Sequence, residues 1–220
     1  MNESSPRTEA ASERVASYLR EAILGGQIAP GSKIRQEEIA EQLGASRLPV
    51  REALRMLESE GLTQFEVNKG ARVPAFDRDE LEVIYEMQER IETLALRLSL
   101  PFLTGAVEDE LHALQDRIES TTDVSVFLDL DRQFHLLTYV GCPSAELLGS
   151  VTRLWNSTQH YRRAFMLLKA DERWSIVNAE HRLLLDAIAR GDEVDCERYL
   201  SGHIRRTRIQ LVNHPEIFDR

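Results

Sequence analysis

The sequence predicts a mainly α protein in two parts. A small N-terminal unit of three helices and one β-hairpin precedes an all-α antiparallel six-helix bundle. Two observations carry this. Apolar residues recur at helical spacing along most of the chain, whereas paired strand signals with a turn between them occur once, before Pro74. From Asp77 to Asn213 the pattern is helix after helix, punctuated by Pro101, Gly141-Cys142-Pro143 and Gly191-Asp192.

In chain order, residues 1–8 are expected to form a disordered tail. The first helix is placed at Thr8 to Leu24, with Val15, Tyr18, Leu19, Ala22 and Ile23 as its buried stripe. Gly25-Gly26 ends it, and Ala29-Pro30-Gly31 is a turn with Pro pre-set for its corner. Ile39, Ala40 and Leu43 mark a short second helix, interrupted by Gly44-Ala45-Ser46. Val50, Ala53, Leu54 and Leu57 mark a third, with Ser46 as its N-cap and Gly61 as its stop. Strands are expected at 62–67 and 71–73, joined by a turn at Asn68-Lys69-Gly70. The bundle helices are placed near 77–100, 105–121, 124–140, 144–168, 172–190 and 193–213.

The chain has 220 residues, 42% hydrophobic and 29% charged, which suits two modest domains with real cores. No apolar run approaches a membrane span, and the polar N-terminus lacks a signal-peptide core. Cys142 and Cys196 lie far apart without a CxxC pair, so we expect a reducing, cytoplasmic setting and no disulfide framework. The net charge of −10 argues against a protein coated in basic patches. Residues 1–73 hold 10 Lys/Arg against 11 Asp/Glu, so the acidic excess sits in the second part.

On the third helix, Arg47, Arg51 and Arg55 follow at steps of four, which puts three guanidinium groups on one edge. Such a helix, held behind a tight turn, can lie in a DNA major groove and reach guanine edges and phosphates. A solvated amphipathic helix has the same spacing. The segment Gly-Ala-Ser-Arg-Leu-Pro-Val-Arg-Glu-Ala-Leu-Arg-Met-Leu-Glu at 44–58, followed by Glu-Gly-Leu at 60–62, settles the preference. It resembles the winged helix-turn-helix of the GntR transcription-regulator superfamily, and the likeness extends over residues 10–74. The resemblance implies binding to double-stranded DNA through Ser46, Arg47 and Arg51 at the recognition helix. It places Lys69 and Gly70 at the wing tip, against the minor groove. Arg35 is a further phosphate candidate. Glu37 occupies a place where some relatives carry a DNA-contacting Arg, a contact an acid cannot make.

The chemistry of residues 75–215 lies in four side chains. Asp131 and His135 are one helical turn apart on one face. His181 lies 10 residues before Gly191 and His203 lies 12 after it. In an antiparallel hairpin that difference is roughly 3 Å of rise, so the imidazoles can meet. Three imidazoles and a carboxylate suit a divalent metal: Zn²⁺ first, with Ni²⁺, Co²⁺, Fe²⁺ and Mn²⁺ as alternatives. Four polar residues satisfied separately inside a bundle would show the same letters. His112, His160 and His214 lack such partners and are expected at the surface.

Asp-x-x-Phe-His at 131–135, Glu-His-x-x-Leu-Leu-x-Ala-Ile-x-x-Gly-Asp at 180–192 and the later His203 are similar to the FCD ligand-binding domain of the FadR branch. This second resemblance covers the region after Pro74, in the smaller six-helix form of that domain. It implies a metal held by one Asp and three His, and a small organic acid, a carboxylate or sugar acid, as effector. A carboxylate benefits from a guanidinium, so Arg90, which resembles a cavity-facing position, leads the effector candidates, followed by Arg132, Arg153 and Arg162. Glu92 is expected to orient a neighbour. Trp155, Trp174 and Phe134 are expected in the core.

The expected function is a ligand-responsive regulator, a repressor, that binds a palindromic operator as a homodimer. The alternative is a metal sensor in which the ion itself is the signal. A metalloenzyme is disfavoured: HExxH is absent, and Glu180 points about 100° around its helix from His181.

Overall fold

The computed structural model describes residues 6–66, 69–168 and 173–218. The chain divides into two compact units, residues 1–76 and 77–220.

The first unit contains α1 (Pro6–Leu24), β1 (Lys33–Ile34), α2 (Gln36–Gln42), α3 (Arg47–Ser59), β2 (Gln64–Glu66) and β3 (Gly70–Arg72). α1 starts two residues before the expected Thr8, so of the expected tail only residues 1–5 lie outside the described residues. The strands form a sheet in the order β1-β3-β2, with both pairs antiparallel. β1 was not anticipated, because two residues are too few to show a period. The first hairpin strand begins at Gln64 rather than Leu62, the second runs over Gly70–Arg72, one residue earlier than expected, and Val67 of the expected first strand and Asn68 of the expected turn lie outside the described residues.

Val15, Leu19, Val50, Ala53, Leu54, Leu57 and Leu62 are fully or almost fully buried in one cluster with Ile34, Ala71 and Val73. Each large aliphatic side chain so buried contributes about 1.5–3 kcal/mol. Tyr18, expected in that stripe, is only half-buried, and its hydroxyl accepts from Gln42 Nε2 at 2.6 Å. α1 is clamped to α3 by Arg20, which donates from Nε and Nη2 to the two Glu60 oxygens, each at 2.7 Å. Ser46 holds the N-cap position of α3, but its side chain makes no capping hydrogen bond. Gly61 ends the helix with φ +78°, a left-handed conformation that glycine adopts without strain.

The second unit contains α4 (Arg78–Ser99), α5 (Gly105–Ser120), α6 (Val124–Thr138), α7 (Ala145–Leu168), α8 (Arg173–Ala189) and α9 (Glu193–Val212). These bounds lie within two residues of those expected. Capping accounts for the starts. Asp77 and Glu80 form a reciprocal capping box for α4. Thr104, Asp123 and Asp192 accept from backbone N–H groups at the starts of α5, α6 and α9. α4 packs on α7 and α9, α5 on α6 and α8, α6 on α7, and α8 on α9. Arg208 ties α9 to α4 by reaching Glu89 at 2.7 Å and Glu82 at 3.0 Å. Among the described residues, no helix is long and apolar enough to cross a membrane.

Candidate functional site

α6 presents Asp131 and His135 to the bundle interior, α8 presents His181, and α9 presents His203. One possible ligand atom from each lies within 4.8 Å of those from the others. The imidazole centroids of His135, His181 and His203 form a near-equilateral triangle with sides of 5.1, 5.0 and 5.0 Å. Asp131 Oδ1 stands 3.6 Å from His181 Nε2 and 3.9 Å from His135 Nε2. Asp131, His135 and His181 are buried, and His203 is partly so.

Neighbouring groups fix two of the rings. Gln115 spends its Nε2 on Glu119 and Asn178, so its Oε1 accepts from His181 Nδ1 at 2.8 Å. His203 Nδ1 donates to Glu180 Oε2 at 2.9 Å, and Arg206 pairs with the same carboxylate. The proton then sits on Nδ1 of His181 and leaves its Nε2 as a lone pair. His181 Nε2 and both nitrogens of His135 are buried without a hydrogen-bond partner. Each orphan of this kind costs about 1–3 kcal/mol unless something answers it. A cation among these lone pairs would answer them, so the residues fit a divalent metal held by three nitrogens and one oxygen. Burial, then the charges of the neighbouring imidazoles, holds His135 well below the ordinary histidine range, and burial does the same for His181. Burial raises the Asp131 carboxyl, and the His203 and Arg162 charges partly offset the rise.

A cavity of about 50 Å³ adjoins the cluster, with Asp131, His135 and His203 in its wall. The effector candidates fare unevenly here. Arg162 is buried, lines the cavity, and lies with its guanidinium carbon 3.8 Å from the Trp155 ring centroid. Arg90 does not face the cavity. Its side chain is 70% exposed and bonds to the Glu86 carbonyl. Gln88 and Glu92, two residues to either side, do line the cavity, and two residues rotate about 200° around a helix. The same offset from Trp155 turns Arg153 to solvent. Arg132 is half-buried, outside the cavity wall, and donates to Asn156 at 2.7 Å.

Glu92 is buried and accepts from Trp155 Nε1 at 2.9 Å, Tyr139 at 2.8 Å and Gln88 at 2.9 Å. It therefore orients neighbours as expected, and burial raises its carboxyl. Trp155, expected in the core, is buried and also forms part of the cavity wall. Phe134 is buried and stacks on His181 at 4.3 Å, and Trp174 packs on Phe127 at 4.4 Å. Of the histidines expected at the surface, His112 is exposed, while His160 and His214 are half-buried. Both cysteines are buried and free, and burial pushes the Cys196 thiol up to about 12.

Sequence inspection missed Gln115, Glu180 as the partner of His203, and Gln88. A signal existed for Gln115. It stands beside Leu111, Leu114 and Ile118 on the buried face of α5, where a polar residue needs a partner.

In the first unit, Arg47, Arg51 and Arg55 are exposed along α3. Arg47 pairs with Glu37 at 3.3 Å, Arg35 with Glu38 at 2.7 Å, and Lys69 with Glu66 at 3.2 Å. Gly70 has φ +84° at the start of β3. Acids therefore occupy several candidate DNA-contacting cations, and a phosphate would have to displace them.

Comparison with known proteins agrees with both units. Residues 11–73 match the model of bacterial regulatory proteins of the gntR family, and residues 82–206 match the FCD domain. An uncharacterized HTH-type transcriptional regulator in an unstable DNA locus of Streptomyces ambofaciens is 30% identical over 208 residues, covering 91% of this chain and 86% of that one. The HTH-type transcriptional regulator McbR of Escherichia coli K12 is 27% identical over 205 residues, covering 90% and 91%. The solved structure of E. coli McbR/YncC shares the fold, with a TM-score of 0.81 at 23% identity over 93% of this chain and 98% of that one. Proteins of this kind are DNA-binding regulators and not enzymes. On these matches the chain belongs to the GntR family of bacterial transcription regulators, with an FCD domain as its second unit.

Proposed function

We propose that this chain is a cytoplasmic, acid-responsive repressor that binds a palindromic operator as a homodimer. In this role Asp131, His135, His181 and His203 hold a divalent cation, Zn²⁺ by preference. The carrying observation is that Asp131, His135 and His203 of this cluster line a cavity that the buried Arg162 also lines. A cation bound there would supply one or two open coordination positions for a carboxylate oxygen. Arg162 would take the negative charge from the other side. The adjoining cavity also favours an organic effector over the ion acting alone.

Ser46, Arg47, Arg51, Lys69 and Gly70 would contact DNA, with Arg35 on a phosphate. One recognition helix reads only a few base pairs, so two copies on two half-sites are needed for useful affinity. An effector works by binding one arrangement of the two recognition helices better than the other.

Fluorescence anisotropy on the operator fragment, with zinc-loaded protein and a panel of small acids, tests this role. At least one acid is expected to shift operator affinity by about 5–150-fold. If no acid moves the curve, the sensing role is wrong.

A further inference from the structure

The recognition helix carries a side chain that its own packing does not explain. Val50, Ala53, Leu54 and Leu57 form the buried face of α3. Leu48 lies on the opposite side of the helix from that face and is 57% exposed. It shares the outward face with Arg51 and Arg55, which follow it by three and seven residues. A single exposed leucine is ordinary on most surfaces. On a face that enters a DNA groove it matters, because it displaces water and offers no hydrogen bond. The apolar feature of the major groove is the thymine 5-methyl group. A leucine in the first turn of the recognition helix is placed to cover it.

A second feature lies beside Arg47. Glu37, on α2, holds its carboxylate 3.3 Å from the Arg47 guanidinium at the start of α3. Both side chains are mostly exposed, at 62% and 74%. A base edge that Arg47 reaches is therefore within reach of Glu37. A carboxylate accepts hydrogen bonds and donates none, and phosphates repel it. In the major groove the donors are the cytosine N4 and adenine N6 amino groups, and adenine sets an acceptor, N7, beside its donor. Cytosine is thus the base that suits the acid, as guanine O6 and N7 suit the arginine. The Arg47–Glu37 pair presents donors beside an acceptor, and a G·C edge presents acceptors beside a donor.

Building on the recognition-helix contacts proposed above, we infer that Leu48 and Glu37 are specificity residues for DNA. Leu48 packs on the 5-methyl group of a thymine. Glu37 accepts from the N4 amino group of a cytosine beside the guanine that Arg47 contacts. Each half-site therefore sets a thymine and a G·C pair within reach of the first turn of α3.

In the test, full-length, zinc-loaded protein selects its site from a randomised duplex library, and anisotropy titrations follow on the selected duplex. Two base analogues isolate the contacts, because each keeps its base pair and changes only a group in the groove. Uracil in place of the thymine removes the methyl group and is expected to weaken wild-type binding about fourfold, the effect of one methyl group kept from water. N4-methylcytosine in place of the cytosine replaces the groove-facing proton and is expected to weaken binding about fivefold or more. Leu48→Ala is expected to bind the thymine and uracil duplexes equally, and Glu37→Ala to bind the cytosine and N4-methylcytosine duplexes equally. Both residues are exposed, so melting temperatures are expected to stay unchanged. Wild-type indifference to uracil at every thymine of the site overturns the Leu48 contact, and indifference to N4-methylcytosine at every cytosine overturns the Glu37 contact. Analogue effects that persist in the matching variant overturn them equally. Arg47→Ala separates these contacts from the reading beneath them. If that variant selects and binds the same site as wild type, the recognition-helix placement is wrong and both fall. If it loses the site while Leu48→Ala and Glu37→Ala keep every base preference, only the two base contacts fall.

Discussion

His203 Nδ1 and Glu180 Oε2 stand 2.9 Å apart, with one group on α9 and the other on α8. Glu180 is the neighbour of His181 in sequence, yet it serves the histidine of the other helix. A carboxylate in that position makes the imidazole a better ligand and fixes its orientation. Glu180→Gln is expected to lower zinc affinity by about 10–100-fold while helix content stays unchanged. Competition with a chromophoric chelator measures it, and unchanged affinity would remove Glu180 from the metal centre.

Chelation is expected to lower the melting temperature and to make it depend on free zinc concentration, because the ion binds only the folded state. The metal-free protein should also be acid-sensitive. Its His135 and His181 are held well below the ordinary value of 6.5, so below that pH the unfolded chain takes up protons that the folded chain refuses. Their stabilising contribution is whole above pH 6.5 and declines as pH falls, by about 1.4 kcal/mol per pH unit for each histidine. The raised Asp131 and Glu92 carboxyls act oppositely: their contribution is present at low pH and declines as pH rises past their ordinary values of 3.8 and 4.5. Urea denaturation of chelated protein between pH 4 and 8 reads the balance. Imidazole NMR shifts of the chelated, folded protein separate the two sets, and titration of His135 or His181 near 6.5 would show that these imidazoles are not buried neutral.

On the recognition helix, Arg51→Ala is expected to weaken operator binding by about 1–3 kcal/mol if it reads a base edge. If it meets a phosphate instead, the salt dependence should flatten by roughly one ion. Glu37 pairs with Arg47, so Glu37→Gln is expected to tighten DNA binding by freeing that cation. Anisotropy titrations at several salt concentrations separate these outcomes.

Gly141 follows α6, and a Cβ there would lie 2.7 Å from the Ser99 carbonyl oxygen and 2.9 Å from Phe102 Cβ. Backbone has to move to admit it. Gly141→Ala is expected to destabilise the protein by roughly 1–3 kcal/mol, visible in thermal melts, with zinc stoichiometry unchanged.

The meeting of the three histidines with Asp131 was legible because the four residues obey two simple rules. Asp131 and His135 are one turn apart, and His181 and His203 are nearly equidistant from the hairpin turn at Gly191. The cavity was not legible in the same way. Arg90 and Arg162 look alike in sequence, and only the rotation of α4 and α7 in the bundle decides that the second faces inward. Gln115 reaches His181 across the α5–α8 packing, 66 positions away, which no local period encodes. β1 was hidden by its length, since Lys33-Ile34 becomes a strand only because β3 lies beside it.

That short strand has a consequence for signalling. Gly31 N donates to the Val73 carbonyl at 2.9 Å, and Val73 N donates to the Ser32 carbonyl at 3.0 Å, so the end of the wing is stitched to the loop before α2. With Arg20 locking α1 to α3, the groove-binding helix and the wing are parts of one stiff tool head. Such a head offers little internal play among its described residues, and in the proposed dimer, induction by a small acid would act as a change of stance between two intact heads, felt on the DNA as half-sites that no longer fall in step.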